Sequence, residues 1–278
     1  MLDKWTMKRG KMVNEFERYL KELGLSVNTI TSYMGAVKQY EMKYGKLSQK
    51  NLKSYKEFLI EHYKCSTVNL RICAINCYLE FAGKKKWNLS AVKVQQKAYL
   101  ENVISEADYN YFKACLKRDG EMFWYFVIHF LASTGARISE LLQFKAEHVE
   151  QGYIDIYSKG GKFRRVYIPV QLQHEAMEWL VENGRNSGFL FLNRNGERIT
   201  ARGVANQLKK FAERYQIDTK VVYPHSFRHR FAKSFLERYN DIALLADLLG
   251  HENIETTRIY LRKTSTEQRN IINEVVDW

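Results

Sequence analysis

Four clusters along the 278 residues gather side chains that can handle an anion and a proton. The first is Ala136-Arg137-Ile138-Ser139-Glu140-Leu141-Leu142, directly after Gly135. The second is Ser158-Lys159-Gly160-Gly161-Lys162. The third is His225-Ser226-Phe227-Arg228-His229, just after Pro224. The fourth joins Leu248-Leu249-Gly250-His251 to Thr256-Thr257-Arg258-Ile259-Tyr260. Two arginines, a lysine, two histidines and a tyrosine suit one task, the in-line attack on a phosphodiester. That reaction builds negative charge on the non-bridging oxygens, and two bidentate guanidiniums can stabilise it without a metal. A lysine can protonate the leaving oxygen, and a histidine can accept a proton or hydrogen-bond the phosphate. A phenol is a competent nucleophile and leaves well in the reverse step. Attack by tyrosine conserves the bond energy as a phosphotyrosine, so no ATP is needed.

Each residue alone has a plainer reading. Arg137 sits beside Ile138, Leu141 and Leu142, where a guanidinium is costly unless an anion meets it. That anion is either a substrate or Glu140, three residues on. His225 and Arg228 are three apart at a helix N-terminus, so both point one way toward free N–H groups; a capping His and a surface Arg would look the same. A lysine on a Gly-rich hairpin tip is commonly just solvated, and Tyr260 is one of 18 tyrosines. His225 and His229, spaced i, i+4, could with His251 ligate zinc. Arg228 between them repels a cation, and no HExxH glutamate is present. The sequence therefore favours neither a metal nor a cofactor.

The elements that must position these residues divide in two. Phe16, Tyr19 and Leu20 repeat at helical spacing, and Gly24 stops that helix. Ser26 caps a second, carrying Ile30, Tyr33, Val37 and Tyr40 before Gly45. A third covers about 47–63, and a fourth runs from about Ser66 to Phe81. Four short amphipathic helices make a compact bundle. The polar, basic, aperiodic run from Gly83 through Lys97 reads as a linker. Ser105-Glu106-Ala107-Asp108 resembles a capping box opening a second domain, and an apolar helix over 122–132 breaks at Gly135. Residues 153–157 and 165–168 then read as two strands around the Lys159 turn. Helices resume from about Gln171, pause at 189–192 and continue to the C-terminus. The expected fold is mainly α with a small antiparallel sheet, divided into a helical domain at 1–90, a linker at 91–103 and a mixed α/β domain at 104–278.

Composition narrows the partner. Apolar residues are 45% and aromatics 14%, which excludes intrinsic disorder. No run is long enough to span a membrane, and the start is no secretory signal. Four cysteines without a CxxC pair fit reduced thiols in the cytoplasm. The formal charge is +13, and residues 1–100 carry 19 Lys and Arg against 8 Asp and Glu, a net +11. An excess confined to the first domain suggests a polyanion, and nucleic acid needs many phosphates neutralised at once.

The four clusters, with nine residues from His251 to Tyr260, resemble the tyrosine recombinases, the integrase family of site-specific recombinases. The resemblance covers nearly the whole chain. It implies an N-terminal four-helix, SAM-like core-binding domain and a catalytic domain of the DNA breaking-rejoining fold, closing as a C-shaped clamp on duplex DNA. It implies that Tyr260 forms a 3′-phosphotyrosyl link and that Arg137 and Arg228 clamp the scissile phosphate. Lys159 would be the acid for the 5′-oxygen, with Lys162 a substitute. His225 would take or relay the tyrosine proton, His251 would hydrogen-bond a phosphate oxygen, and Glu140 would support Arg137. Lys84, Lys85, Lys86, Lys162 and Arg230 would contact DNA; Arg230 stands where relatives often carry a small hydroxyl residue. Four protomers, monomeric in solution, would synapse two sites through a Holliday junction. The apolar C-terminal tail at Ile271–Val276 packs either on its own chain or on a neighbouring protomer. The first helix begins by about residue 13, so no arm-binding domain fits before it and a simple Xer-like form is expected. A type IB topoisomerase and a catalytically silent DNA-binding protein of the same fold are the alternatives.

Overall fold

Helix starts in this chain are fixed by short polar side chains that accept the helix's own free N–H groups. Ser26, Ser48, Ser105, Thr200 and Asp241 each do so. The computed structural model describes residues 14–93, 101–158, 162–263 and 265–276. It falls into two compact units, Met1–Gln96 and Lys97–Trp278. Among the described residues no helix is long and apolar enough to cross a membrane.

The first unit holds the four expected helices: α1 (residues 14–22), α2 (Val27–Tyr44), α3 (Gln49–His62) and α4 (Cys65–Phe81). Phe16, Leu20, Val37, Tyr40, Leu52, Tyr55 and Tyr78 are buried between them. The buried phenols keep partners: Tyr55 donates to Gln39 Oε1 at 3.0 Å and Tyr78 to Glu41 Oε1 at 2.9 Å. The basic run does not start a free linker. After a 3-10 turn at Lys85–Trp87, the chain is held on α4 by two asparagines. Asn76 exchanges hydrogen bonds with the backbone of Leu89 at 2.8 and 2.9 Å, and Asn69 does the same with Val92. Each amide imitates a strand partner, donating to a carbonyl and accepting from an N–H. Periodicity does not reveal this, because Asn is equally at home on a solvated face.

The second unit opens with α5 (Glu106–Arg118) and α6 (Met122–Thr134). Ser105 accepts from the Asp108 N–H at 3.0 Å, but Asp108 takes the Ser105 hydroxyl at 2.7 Å instead of reaching back to the backbone, so half of the expected box forms. Helix α6 is apolar nearly all round and is buried through its middle, as such a helix must be. Short helices α7 (Ile138–Leu141) and α8 (Ala146–Gln151) lead to β1 (Tyr153–Ser158) and β2 (Lys162–Tyr167). These pair antiparallel, Tyr153 with Tyr167 through Ser158 with Lys162. Then follow α9 (Val170–Glu182), α10 (Ala201–Arg214), α11 (Pro224–Arg238), α12 (Ile242–Leu249) and α13 (Glu255–Arg258). A 3-10 turn at Ile259–Leu261 carries Tyr260, and α14 (Ser265–Val275) closes the unit. The fold is thus mainly helical with one two-stranded antiparallel sheet, and among the described residues that sheet has no third strand.

Two glycines end the helices that frame the site. Gly135 after α6 and Gly250 after α12 have φ of +62° and +61°, a conformation that costs other residues about 1–2 kcal/mol. A Cβ at Gly135 would stand 2.5 Å from the Phe231 ring, and one at Gly250 would stand 2.4 Å from Arg164 Cδ. Gly135→Ala is therefore expected to cost about 2 kcal/mol or more. That lowers the melting temperature of the full chain by roughly 5 °C. A variant that melts with the wild type would show that Phe231 yields freely and that the turn is not constrained.

Candidate active site

A buried carboxylate, 6% exposed, organises the floor of the site. Glu140 Oε1 accepts from Arg137 Nη1 at 2.9 Å, and Oε2 accepts from the Arg137 backbone N–H at 2.6 Å. Oε2 also takes a short hydrogen bond from Arg164 Nη2 and lies 4.0 Å from Arg228 Nη1. Burial pushes the Glu140 carboxyl up, but Arg164 and then Arg137 hold it below the usual carboxylate range. Three guanidiniums thus share one carboxylate, and the surplus positive charge faces any anion that enters.

The arginines are anchored in different ways. Arg228 is 2% exposed. Its Nη1 donates to Gly135 O at 2.6 Å and its Nη2 to Leu249 O at 2.7 Å. Both carbonyls sit at helix C-termini, where the dipole favours a cation. Burial, then Arg137 and Arg164, lowers Arg228 to about 10, so it stays charged at neutral pH. Arg137 caps α7 and keeps a third of its side chain exposed, with Nη2 3.4 Å from Gly250 O. Sequence reasoning missed Arg164. It pairs with Ile156 across the sheet, on the inward face with Val166, and also donates to Leu248 O. The signal was its strand alternation, which puts it on the core side. A cavity of about 710 Å³, lined by Arg137, Arg164, Gly250 and His251 among others, opens onto this floor.

The Tyr260 ring, 5% exposed, lies between two histidines. His251 stacks on it at 6.3 Å between centroids with planes 13° apart, and His229 tilts toward it at 5.4 Å. His229 Nδ1 is 3.2 Å from the phenol oxygen. His251 Nε2 is 3.1 Å from Arg228 Nη2, and its Nδ1 is 2.8 Å from the buried hydroxyl of Thr257. A guanidinium only donates, so Nε2 accepts and Nδ1 carries the proton given to Thr257. Burial, then Arg228, Arg137 and Arg164, holds His251 at about 4, so it is neutral. Burial raises the Tyr260 phenol, while Arg228 and Arg137 pull against it.

Of the residues singled out in the sequence, Arg137, Glu140, Arg228, His251 and Tyr260 converge here. His225 stands on α11 one turn before His229, exposed, with ring centroids 6.3 Å apart. Partial burial and the charges of Arg228 and Arg137 keep it below the usual histidine range. Lys159 lies outside the described residues, and Lys162 begins β2. Arg230 is tucked over the Tyr109 ring at 5.2 Å and lies 3.6 Å from Glu106, so it would have to leave both to meet a phosphate. In the first unit, Lys84 covers the Trp87 ring at 4.2 Å and Lys85 pairs with Glu80 at 2.5 Å. Among the described residues no three His, Cys, Asp or Glu side chains cluster as metal ligands would.

The sequence pattern of the phage integrase family matches residues 102–267, more than half of the chain. Tyrosine recombinase XerA of Pyrococcus furiosus is 28% identical over 96% of this chain and 97% of its own length. XerA of Pyrococcus horikoshii is 30% identical over 95% and 93%. Among solved structures, the Tn1549 transposon integrase in complex with transposon right end DNA aligns with a TM-score of 0.72. It covers 95% of this chain and 99% of that one at 16% identity, a likeness of fold.

Proposed function

Since this chain belongs to the phage integrase family, we propose that it is a tyrosine-type site-specific recombinase that cuts and rejoins duplex DNA through a 3′-phosphotyrosyl intermediate. The observation that carries the reading is the convergence of Arg137, Arg228, His251 and Tyr260, from separate segments, on one site of surplus positive charge, where Arg137 and His251 line its pocket. Such a pocket suits one phosphate, because its donors point inward while the net charge of the unit stays small.

Tyr260 Oη attacks the scissile phosphorus. Arg137, with its exposed Nη2 edge, and Arg228, fixed by two carbonyls, neutralise the non-bridging oxygens. Lys159 protonates the departing 5′-oxygen, with Lys162 as substitute. His225 at the mouth relays a proton. Once the anion draws Arg228 away from its Nε2, His251 takes up a proton there and donates that N–H to a phosphate oxygen. Glu140 keeps Arg137 and Arg164 in register. The net +11 of residues 1–100 grips the flanking duplex, with Lys84 to Lys86 among the phosphate contacts. The domain at 1–90 supplies that grip, and 104–278 supplies the chemistry. Four protomers act on two synapsed sites. Support for that assembly comes from α14, whose Ile272 and Val275 are 59% and 62% exposed.

The test is to trap the protein covalently on nicked genomic duplexes, denature, and sequence the attached DNA. One short recurring sequence is the expected result. Adducts scattered over unrelated sequences, with relaxation of any plasmid, would point to a topoisomerase. No adduct at all would point to a silent DNA-binding protein.

A further inference from the structure

His229 has no part in the roles above, yet its Nδ1 stands 3.2 Å from the phenol oxygen of Tyr260, where the other side chain on that oxygen, Arg228, can only donate. We propose that His229, neutral and protonated on Nε2, is the group that accepts the phenolic proton at its Nδ1 when Tyr260 attacks. This rests on Tyr260 being the nucleophile.

The other histidines are less well placed. His251 touches the same ring, but Arg228 occupies its Nε2 lone pair and its Nδ1 hydrogen goes to Thr257. It has no lone pair left for the phenol. His225 is exposed, and among the described residues no hydrogen bond joins it to Tyr260. His229 is different. It is fixed on α11 directly after Arg228, so the residue that clamps the phosphate and the residue that faces the nucleophile share one rigid helix.

The step balances. The Oη–P bond forms as the P–O5′ bond breaks, the phenolic proton passes to His229 Nδ1, and O5′ receives a proton from Lys159. In rejoining, the 5′-hydroxyl returns its proton to Lys159 as O5′ attacks, the Oη–P bond breaks, and the His229 imidazolium returns its proton to the leaving phenolate. The groups facing His229 are His225 and Arg228 on α11, Tyr260 on the 3-10 turn, and His251 beyond α12. Burial, then His225 and Arg228, holds it at about 4, so its lone pair is free throughout the neutral range. The incoming phosphate offsets the charge of Arg228 and strengthens the base at the moment it is needed.

Two experiments test this, one without DNA. In the free protein labelled with 15N-histidine, His229 is expected as the Nε2–H tautomer, with an Nδ1 shift that moves in Tyr260→Phe. An Nδ1–H tautomer, or no response to that substitution, would overturn the proposal. In single-turnover cleavage of the duplex recovered by covalent trapping, wild type should be nearly flat from pH 6 to 9. His229→Gln keeps a polar group beside the phenol but cannot take its proton. It should cleave about 10²–10⁴-fold more slowly at pH 7. Its rate should rise about tenfold per pH unit, because phenolate must form first. A more acidic fluorotyrosine at position 260 should relieve the defect, which a folding fault would not allow. His229→Gln at the wild-type rate, or slow with an unchanged pH profile and no relief, would sink the base role while leaving Tyr260 in place. An adduct that persists in Tyr260→Phe would instead remove the underlying reading.

Discussion

Replacing Tyr260 by phenylalanine abolishes covalent attachment to DNA while binding to the recombination site stays within a few-fold of wild type. The substitution deletes one oxygen from a ring that is already 5% exposed. Packing between His229 and His251 is kept, and the lost hydrogen bond to His229 costs about 1 kcal/mol. Catalysis loses its nucleophile, a change on the order of 10⁴-fold or more for a group that makes the covalent bond. The check is a denaturing gel of protein with trapped substrate beside a gel-shift titration of the same DNA. A persistent adduct would mean that another of the 18 tyrosines attacks.

The second large effect is expected at Arg228. A lysine there keeps the charge but loses the fork that joins Gly135 O, Leu249 O and His251. An ammonium on a flexible stem cannot hold both carbonyls and still present a donor to the phosphate. Cleavage by Arg228→Lys should fall about 10³-fold, the scale of losing one charge-stabilising group from phosphoryl transfer. Stability should fall as well, by about 1–3 kcal/mol for a buried carbonyl left without its donor. Single-turnover cleavage and thermal melting of the same preparation separate the two. Near-normal cleavage would show that charge alone suffices at this position.

Much of this site was legible in the sequence because its parts are local. Arg137 with Glu140, and His225 with Arg228, lie within one helical turn, so spacing fixes which side chains share a face. The glycines at 135 and 250 mark helix ends for the same local reason. Arg164 was legible in principle, since alternation places it on the face of Val166, but a charged residue there invites the reading of a solvated strand. The partnership of His229 with Tyr260 was not legible. It depends on how the chain returns after α12, and no local period encodes a contact across 31 residues. The asparagine clamps on Leu89 and Val92 escaped for the same reason.

The interlocking of Arg228 with the ends of α6 and α12 bears on when this protein can harm the DNA it touches. Its two carbonyl partners, at Gly135 and Leu249, lie 93 residues before it and 21 after it in the chain, and Tyr260 lies beyond both. A nascent or partly unfolded polypeptide therefore holds a tyrosine without its guanidiniums, or the reverse, and is harmless to a genome. Only the finished domain assembles the blade. Folding itself acts as the safety catch, releasing strand scission in a molecule already able to seal what it cuts.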